Sequence, residues 1–506
     1  MTAKATQTAN ETVDVIVLGG GGAGLAAAVS AASRCMRTVL LEKCPQLGGT
    51  TRWSVGSVSA AGTRLQKRAG IQDNIDDFRV DMMGFIPEFA ARDNPRLRYV
   101  LAAEAATTVD WLEDLGVVFS GPFPEPPNRV PRMHNAVPGS RMYVLKLTEA
   151  AQRAGVDIRL QAEVHELLTD AGGRISGVAY SIGGVRRELH ASRGVILATG
   201  DFAGSRPLRE AHLHQAAATA IPVNPDNTGD GLALARRVGA ALHNMDVVIG
   251  PQFRFPGSSK QGFIDSLPSW SWLARLGAFY FERAPRWMLK PLVTSLMIAH
   301  MSPTEKLYKE GAVLVDLDGI ALDTEHGANA LSAAREASGY IVLDAKMARQ
   351  FSAYPYYIST APGIAYAYFS DYRKGRPDLV HAAAGVNELA AKLGMDASRL
   401  AVSLKGLQQG EVFALGPVRA MLTITEGGLA VDEQCRVLRE DGQAIDGLYA
   451  VGGIGQGGMA LKGHGLHLVW AMTSGRLAGE GVSRRMPPVD PFVPGDPANL
   501  RTLGHH

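Results

Sequence analysis

Cysteine is nearly missing from this chain: Cys35, Cys44 and Cys435 are the only three among 506 residues. Three thiols cannot build a disulfide framework, and none stands in a Cys-x-x-Cys or Cys/His metal spacing. No metal site is expected, and a reducing, cytoplasmic setting is. Long apolar runs are missing too: no stretch reaches roughly 18 uncharged apolar residues, so no membrane-spanning helix is expected. The polar opening MTAKATQTANETVDV lacks the apolar core of a signal peptide. Charge of one sign is also missing, since 51 Lys and Arg face 49 Asp and Glu for a formal +2. That balance excludes a general electrostatic grip on nucleic acid and a disordered polyelectrolyte. There are no internal repeats.

Glycine is in excess. The 57 glycines are about 11% of the chain, against an average near 7%, and they cluster rather than repeat. Clustered glycine predicts backbone held close to a ligand. The first cluster follows the apolar run Val13 to Leu18, which reads as a strand buried on both faces. An Ala-rich helix from Ala23 to Ser33 and a second apolar strand from Thr38 to Leu41 complete a β-α-β unit. In the turn, Gly19-x-Gly21-x-x-Gly24 has the spacing of a dinucleotide fingerprint. The first glycine permits the turn, the second lets backbone approach a pyrophosphate, and the third lets helix and strand pack closely. The helix N-terminus, at Gly22 and Ala23, then faces the negative charge. Glu42 ends the second strand, placed to accept hydrogen bonds from an adenosine ribose.

The residues that follow favour FAD over NAD. Lys43 to Thr51 reads KCPQLGGTT, in which Gly48, Gly49, Thr50 and Thr51 lay backbone and hydroxyls along a second part of a long cofactor. Thr199-Gly200 and Gly452-Gly453 end two further apolar strands, so both ends of the chain reach the same ligand. Between them, 157–168, 174–181 and 185–191 read as an antiparallel meander whose residue Val164 is another cofactor contact. Asp230 opens the helical stretch NTGDGLALARRVGA. From about Asp246 to Gly406 the texture changes, with more aromatics and no glycine-rich strand–turn–helix. This predicts an inserted domain.

VIVLGGGGAGLAAA, EKCPQLGGTT, GVILATGDF, NTGDGLALARRVGA and IDGLYAVGG resemble the flavoprotein family of fumarate reductases and 3-ketosteroid dehydrogenases. VNELAAKLGMD resembles the end of that family's cap. The resemblance implies an α/β fold: a Rossmann-like FAD-binding domain with an antiparallel meander, plus an inserted α+β cap that carries the substrate. The expected divisions are 11–247 and 406–485 for the FAD domain, 248–405 for the cap and 486–506 for an extended tail. It also implies the interconversion of C–C and C=C bonds beside a carbonyl, with α-proton removal and β-hydride transfer to flavin N5 in the dehydrogenating direction. Leu466, His467 and Leu468 are implied flavin contacts. No histidine stands near Gly48 to Thr50, so FAD is expected to be non-covalent.

Departures from the family narrow the substrate. Ala321 stands where soluble fumarate reductases have an arginine acid, and Thr425-Glu-Gly-Gly428 lacks their substrate-binding histidine. Thr425 to Leu429 looks instead like the TxGGL of ketosteroid dehydrogenases, although the tyrosine expected before it is absent. The expectation is an FAD-dependent dehydrogenase that introduces a C=C bond into a hydrophobic cyclic ketone and passes electrons to an unidentified acceptor. The alternative is an enoate or enone reductase of the fumarate reductase type. Candidate catalytic residues are His464, Tyr356, Tyr357, Arg419 and Lys462, with Tyr354 and His134 behind them. His464 lies between two glycines and can donate to a carbonyl or act as base. The aromatic segment 269–301, interrupted by Arg275, Glu282, Arg283, Arg286 and Lys290, is a candidate peripheral membrane contact.

Overall fold

The computed structural model describes residues 11–256, 276–277, 298, 302–325, 327–361, 365–407 and 410–484. Most of the 269–301 segment and all of the 486–506 tail lie outside the described residues. Among the described residues no helix is long and apolar enough to cross a membrane.

Strand β1 (Glu11–Leu18) is fully buried along Val15, Ile16 and Val17, as its unbroken apolar run requires. It leads through the glycine turn into helix α1 (Gly22–Ala32), every residue of which is buried. β2 (Thr38–Glu42) and β3 (Asp157–Leu160) extend the sheet in parallel register. The meander is β4 (Ala162–Thr169), β5 (Ile175–Ile182) and β6 (Val185–Leu197). Its first strand was expected to run unbroken from 157. Gln161, at φ +54°, separates β3 from β4 and leaves β3 in the parallel sheet. β6 is continuous from 185 to 197: its first half pairs β5 and its second half runs parallel to β1.

The chain then builds a second sheet and a second apolar core. β7 (Gln252–Arg254), β8 (Val313–Asp316), β9 (Ser338–Asp344) and β10 (Val380–Ala383) pair around the long strand β11 (Val412–Leu422). β11 takes β7, β9 and β10 in antiparallel register and also receives Ile221–Pro222. β11 begins after the expected division at 405/406 and pairs with the strands that precede it. Phe413 and Val418 belong to the second core and Leu422 to the first, so the chain returns at the end of β11. Strand β12 (Arg436–Leu438) and β13 (Ala444–Ala450), the latter parallel to β6, complete the eight-stranded sheet.

The last element, α2 (Leu466–Ser483), lies on α1. Their backbones nearly touch: a Cβ on Gly475 would fall 2.2 Å from the Ala23 carbonyl oxygen, and one on Gly479 would fall 2.3 Å from that of Ala27. No methyl fits, and the neighbouring atom is backbone that cannot swing aside. Gly479→Ala is therefore expected to destabilise the protein by about 1–3 kcal/mol through overpacking, read as a lower denaturant midpoint with an unchanged m-value.

Candidate active site

A cleft of about 900 Å³ runs from Glu42 past the glycine turn to the loop before α2. The glycine turn forms its floor. A Cβ on Gly24 would fall 1.9 Å from the Gly19 carbonyl oxygen, which fixes glycine there and brings helix and strand together. A Cβ on Gly21 would approach nothing closer than 3.9 Å, so the bare backbone at that position borders open space in the cleft. The first turn of α1 carries no acidic side chain to offset its positive end.

Side chains then build the walls. Glu42 Oε2 accepts from the Gly20 N–H at 2.6 Å, and its Oε1 accepts from the Cys44 N–H at 2.8 Å. Thr51 Oγ1 accepts from the Gly22 N–H at 3.1 Å, tying the second glycine segment to the first. Thr50 Oγ1 accepts from Asn224 and Asn227 Nδ2, both at 2.9 Å. Asn227 also donates to Asp201 Oδ2 at 2.8 Å, and burial pushes that carboxyl up to about 6. Lys43 is committed to an ion pair with Asp230 at 2.6 Å. Thr199 Oγ1, on the cleft wall, is buried without a partner among the described residues. A long polyanionic dinucleotide fits this set: bare glycine backbone and a positive helix end meet a pyrophosphate, an acid meets a ribose, and an orphaned hydroxyl finds a partner.

Of the expected cofactor contacts, all but Gly24, Gly48 and Leu466 line the cleft. Gly24 acts by close packing, and Leu466 is buried at the start of α2. The expected catalytic residues divide. His464 lines the cleft, whereas Tyr356, Tyr357, Arg419 and Lys462 lie outside its lining. Tyr356 packs edge-on to Phe351 with Lys306 over its ring, and Tyr357 stacks on Tyr366. Aromatic attraction within the cap holds both away from the cleft. Arg419 lines a separate pocket, and Lys462 is exposed. His134 lies in a strand (Met133–Ala136), fully buried, and burial pulls it down to about 4; Thr63 Oγ1 lies 3.0 Å from its Nε2.

Three functional groups escaped the sequence. Glu125 Oε1 lies 2.5 Å from His464 Nδ1 and accepts the His464 backbone N–H at 2.8 Å. This hydrogen bond raises the imidazole above its ordinary range, although the ring is 55% exposed. Gly465, at φ +88°, lets the loop press on the Val58 backbone, and Ser59 Oγ donates to the His464 carbonyl at 2.8 Å. Glu426 is fully buried. Burial opposes its charge, yet the His467 imidazolium at 2.8 Å, the Leu461 N–H and Gln456 hold it below the usual carboxylate range. Glu426 in turn raises His467 against the effect of burial. Arg254, on β7, enters the cleft beside Thr423, to which its Nη2 donates at 3.1 Å. Burial pulls its guanidinium down, and its Nε is buried with no partner among the described residues. The sequence signal for Arg254 was a lone cation between Phe253 and Phe255; for Glu426 it was a carboxylate inside an apolar strand–turn.

Two packed cores with a dinucleotide cleft ending at paired histidines define a flavoprotein oxidoreductase. Comparison with known proteins agrees: the family model described as FAD binding domain matches residues 14–265 and 273–463, and the chain belongs to that family. The fumarate reductase (cytochrome) of Shewanella frigidimarina is 27% identical over 94% of this chain and 78% of its own length. The 4-oxocyclohexanecarboxylate 2-dehydrogenase of Sinomonas cyclohexanicum is 25% identical over 94% of each chain. Among solved structures, the open conformation of a flavocytochrome c3 fumarate reductase superposes with a TM-score of 0.70 at 21% identity, covering 94% of this chain and 78% of that one. The protein is an FAD-dependent oxidoreductase acting on CH–CH groups.

Replacing Glu42 with Ala removes a charged acceptor from two backbone N–H groups and from the cofactor. A charged hydrogen bond contributes about 1.5–3 kcal/mol, so FAD binding is expected to weaken about 10- to 100-fold. Titration of the FAD-stripped variant against flavin fluorescence measures this.

Proposed function

We propose that this chain reduces the C=C bond of an α,β-unsaturated carbonyl compound carrying a carboxylate or a comparably polar carbonyl, with FAD held non-covalently. The observation that carries this reading is Arg254, a cation in the cleft with a buried, unpartnered Nε. Bound in the cleft, FAD supplies the two-electron redox chemistry. The protein's own groups do the rest. Arg254 binds the carbonyl or carboxylate oxygen and stabilises the negative charge that gathers there as the double bond is reduced. His464 gives a proton from Nε2 to the α carbon, while Glu125 holds Nδ1 and keeps the ring charged. The buried Glu426 keeps His467 protonated at the same end of the cleft.

The expected dehydrogenase needed a base, for which Tyr356 and Tyr357 were candidates, and both pack within the cap. A second reading, the dehydrogenation of a cyclic oxo acid, is favoured by one observation. The relative named for 4-oxocyclohexanecarboxylate aligns over 94% of both chains, and a carboxylated ring would also engage Arg254. Anaerobic mixing separates the two. Reoxidation of the reduced enzyme by enoates supports the reductase. Bleaching of the oxidised enzyme by cyclic oxo acids, with no reoxidation by any enoate, reverses the direction.

Three variants test the roles. His464→Ala should lower kcat about 10²- to 10⁴-fold, the usual contribution of a positioned acid, and leave FAD bound. Arg254→Gln should raise KM for carboxylated substrates about 10- to 100-fold, the worth of one charged hydrogen bond. Glu125→Gln removes the interaction that raises His464. An acid must be protonated, so the alkaline limb of the reductase profile should move to lower pH. In a dehydrogenase using His464 as base, the acid limb would move instead.

A further inference from the structure

Arg419 stands outside the cleft, in a second pocket of about 520 Å³ where the two cores meet. Arg206 and Thr219 reach it from the segment that leaves the first core near Ala217 and Ala220; Ser338 and Arg419 reach it from the second sheet. Among the described residues Arg419 has no acid partner, and its Nε is buried without an acceptor. Arg254 lies directly opposite Arg419 on the antiparallel pair β7–β11, and among the described residues neither guanidinium has an acid partner. Arg206 pairs with Glu210 at 2.7 Å and Glu336 is exposed at the pocket's edge, so among the described residues Arg419 is the pocket's cation without an ion pair.

We infer that this pocket is a second anion site, separate from the cofactor cleft, for a small compound bearing a carboxylate or phosphate group. Its anion pairs with Arg419 and satisfies the orphaned Nε. Because its walls come from both cores, the bound anion ties the cap to the cofactor domain.

Calorimetric titration of the FAD-loaded full chain with inorganic phosphate, and separately with malonate, tests the site. The expected result is saturable binding of one anion per chain, weakened about tenfold or more in Arg419→Gln through loss of a charge-assisted contact. Arg254→Gln should leave the binding in place, and bound FAD should be unchanged in both variants. Ala334→Asp, which adds a carboxylate at the pocket wall without altering the sheet, should weaken binding as well and guards against misfolding of Arg419→Gln. Preference for phosphate or for malonate identifies which of the two groups the site serves. Absence of saturable binding by either anion, or undiminished binding in Arg419→Gln or Ala334→Asp, overturns the inference. Loss in Arg254→Gln with retention in Arg419→Gln also overturns it, since the anion would then occupy the cleft.

Discussion

The first and last helices meet backbone to backbone, and the active site depends on that contact. Gly475 and Gly479 let α2 lie against the carbonyls of Ala23 and Ala27. The same packing carries the loop before α2 to the glycine turn, so that Gly463, His464 and His467 line one cleft with Gly19, Gly21 and Gly22 although more than four hundred positions separate them. Side chains at these crossing points would push the two ends of the site apart. The site is thus a consequence of missing side chains as much as of those present.

On this frame, charge is arranged in pairs that reach across the chain. Glu125 meets His464, Glu426 meets His467, and Lys43 meets Asp230. The two carboxylates raise the imidazoles they meet, His464 and His467. Glu426 is the deepest case: a fully buried carboxylate is tolerated because His467, Gln456 and the Leu461 N–H surround it. Arg254 breaks the rule. It is a cation brought into the cleft with a hydroxyl partner and, among the described residues, no acid, which is why the proposed substrate carries an anionic or polar oxygen.

The cofactor half was legible in the sequence because its signals are local. A glycine turn between a buried strand and an Ala-rich helix carries its own geometry, and Glu42 follows at fixed spacing on the next strand. The catalytic half was not, because its partners meet only through long-range pairing. Glu125 sits in an irregular segment far from His464, and Arg254 reaches the cleft only because β7 pairs with β11. The same pairing was not legible either: from Gly416 the sequence reads like a return to the first texture, yet Val412–Leu422 is the strand around which the second sheet pairs. The tyrosines of 354–357 misled for a different reason. Aromatic rings cluster with one another wherever they can, and here they cluster inside the cap.

The central claim is that one cleft, closed by α1 against α2, holds one FAD at the end where His464 and Arg254 stand. Flavin content of the purified full-length chain tests it most directly. The account predicts one FAD per chain, released intact on denaturation; a colourless chain that takes up no FAD when it is supplied would contradict it.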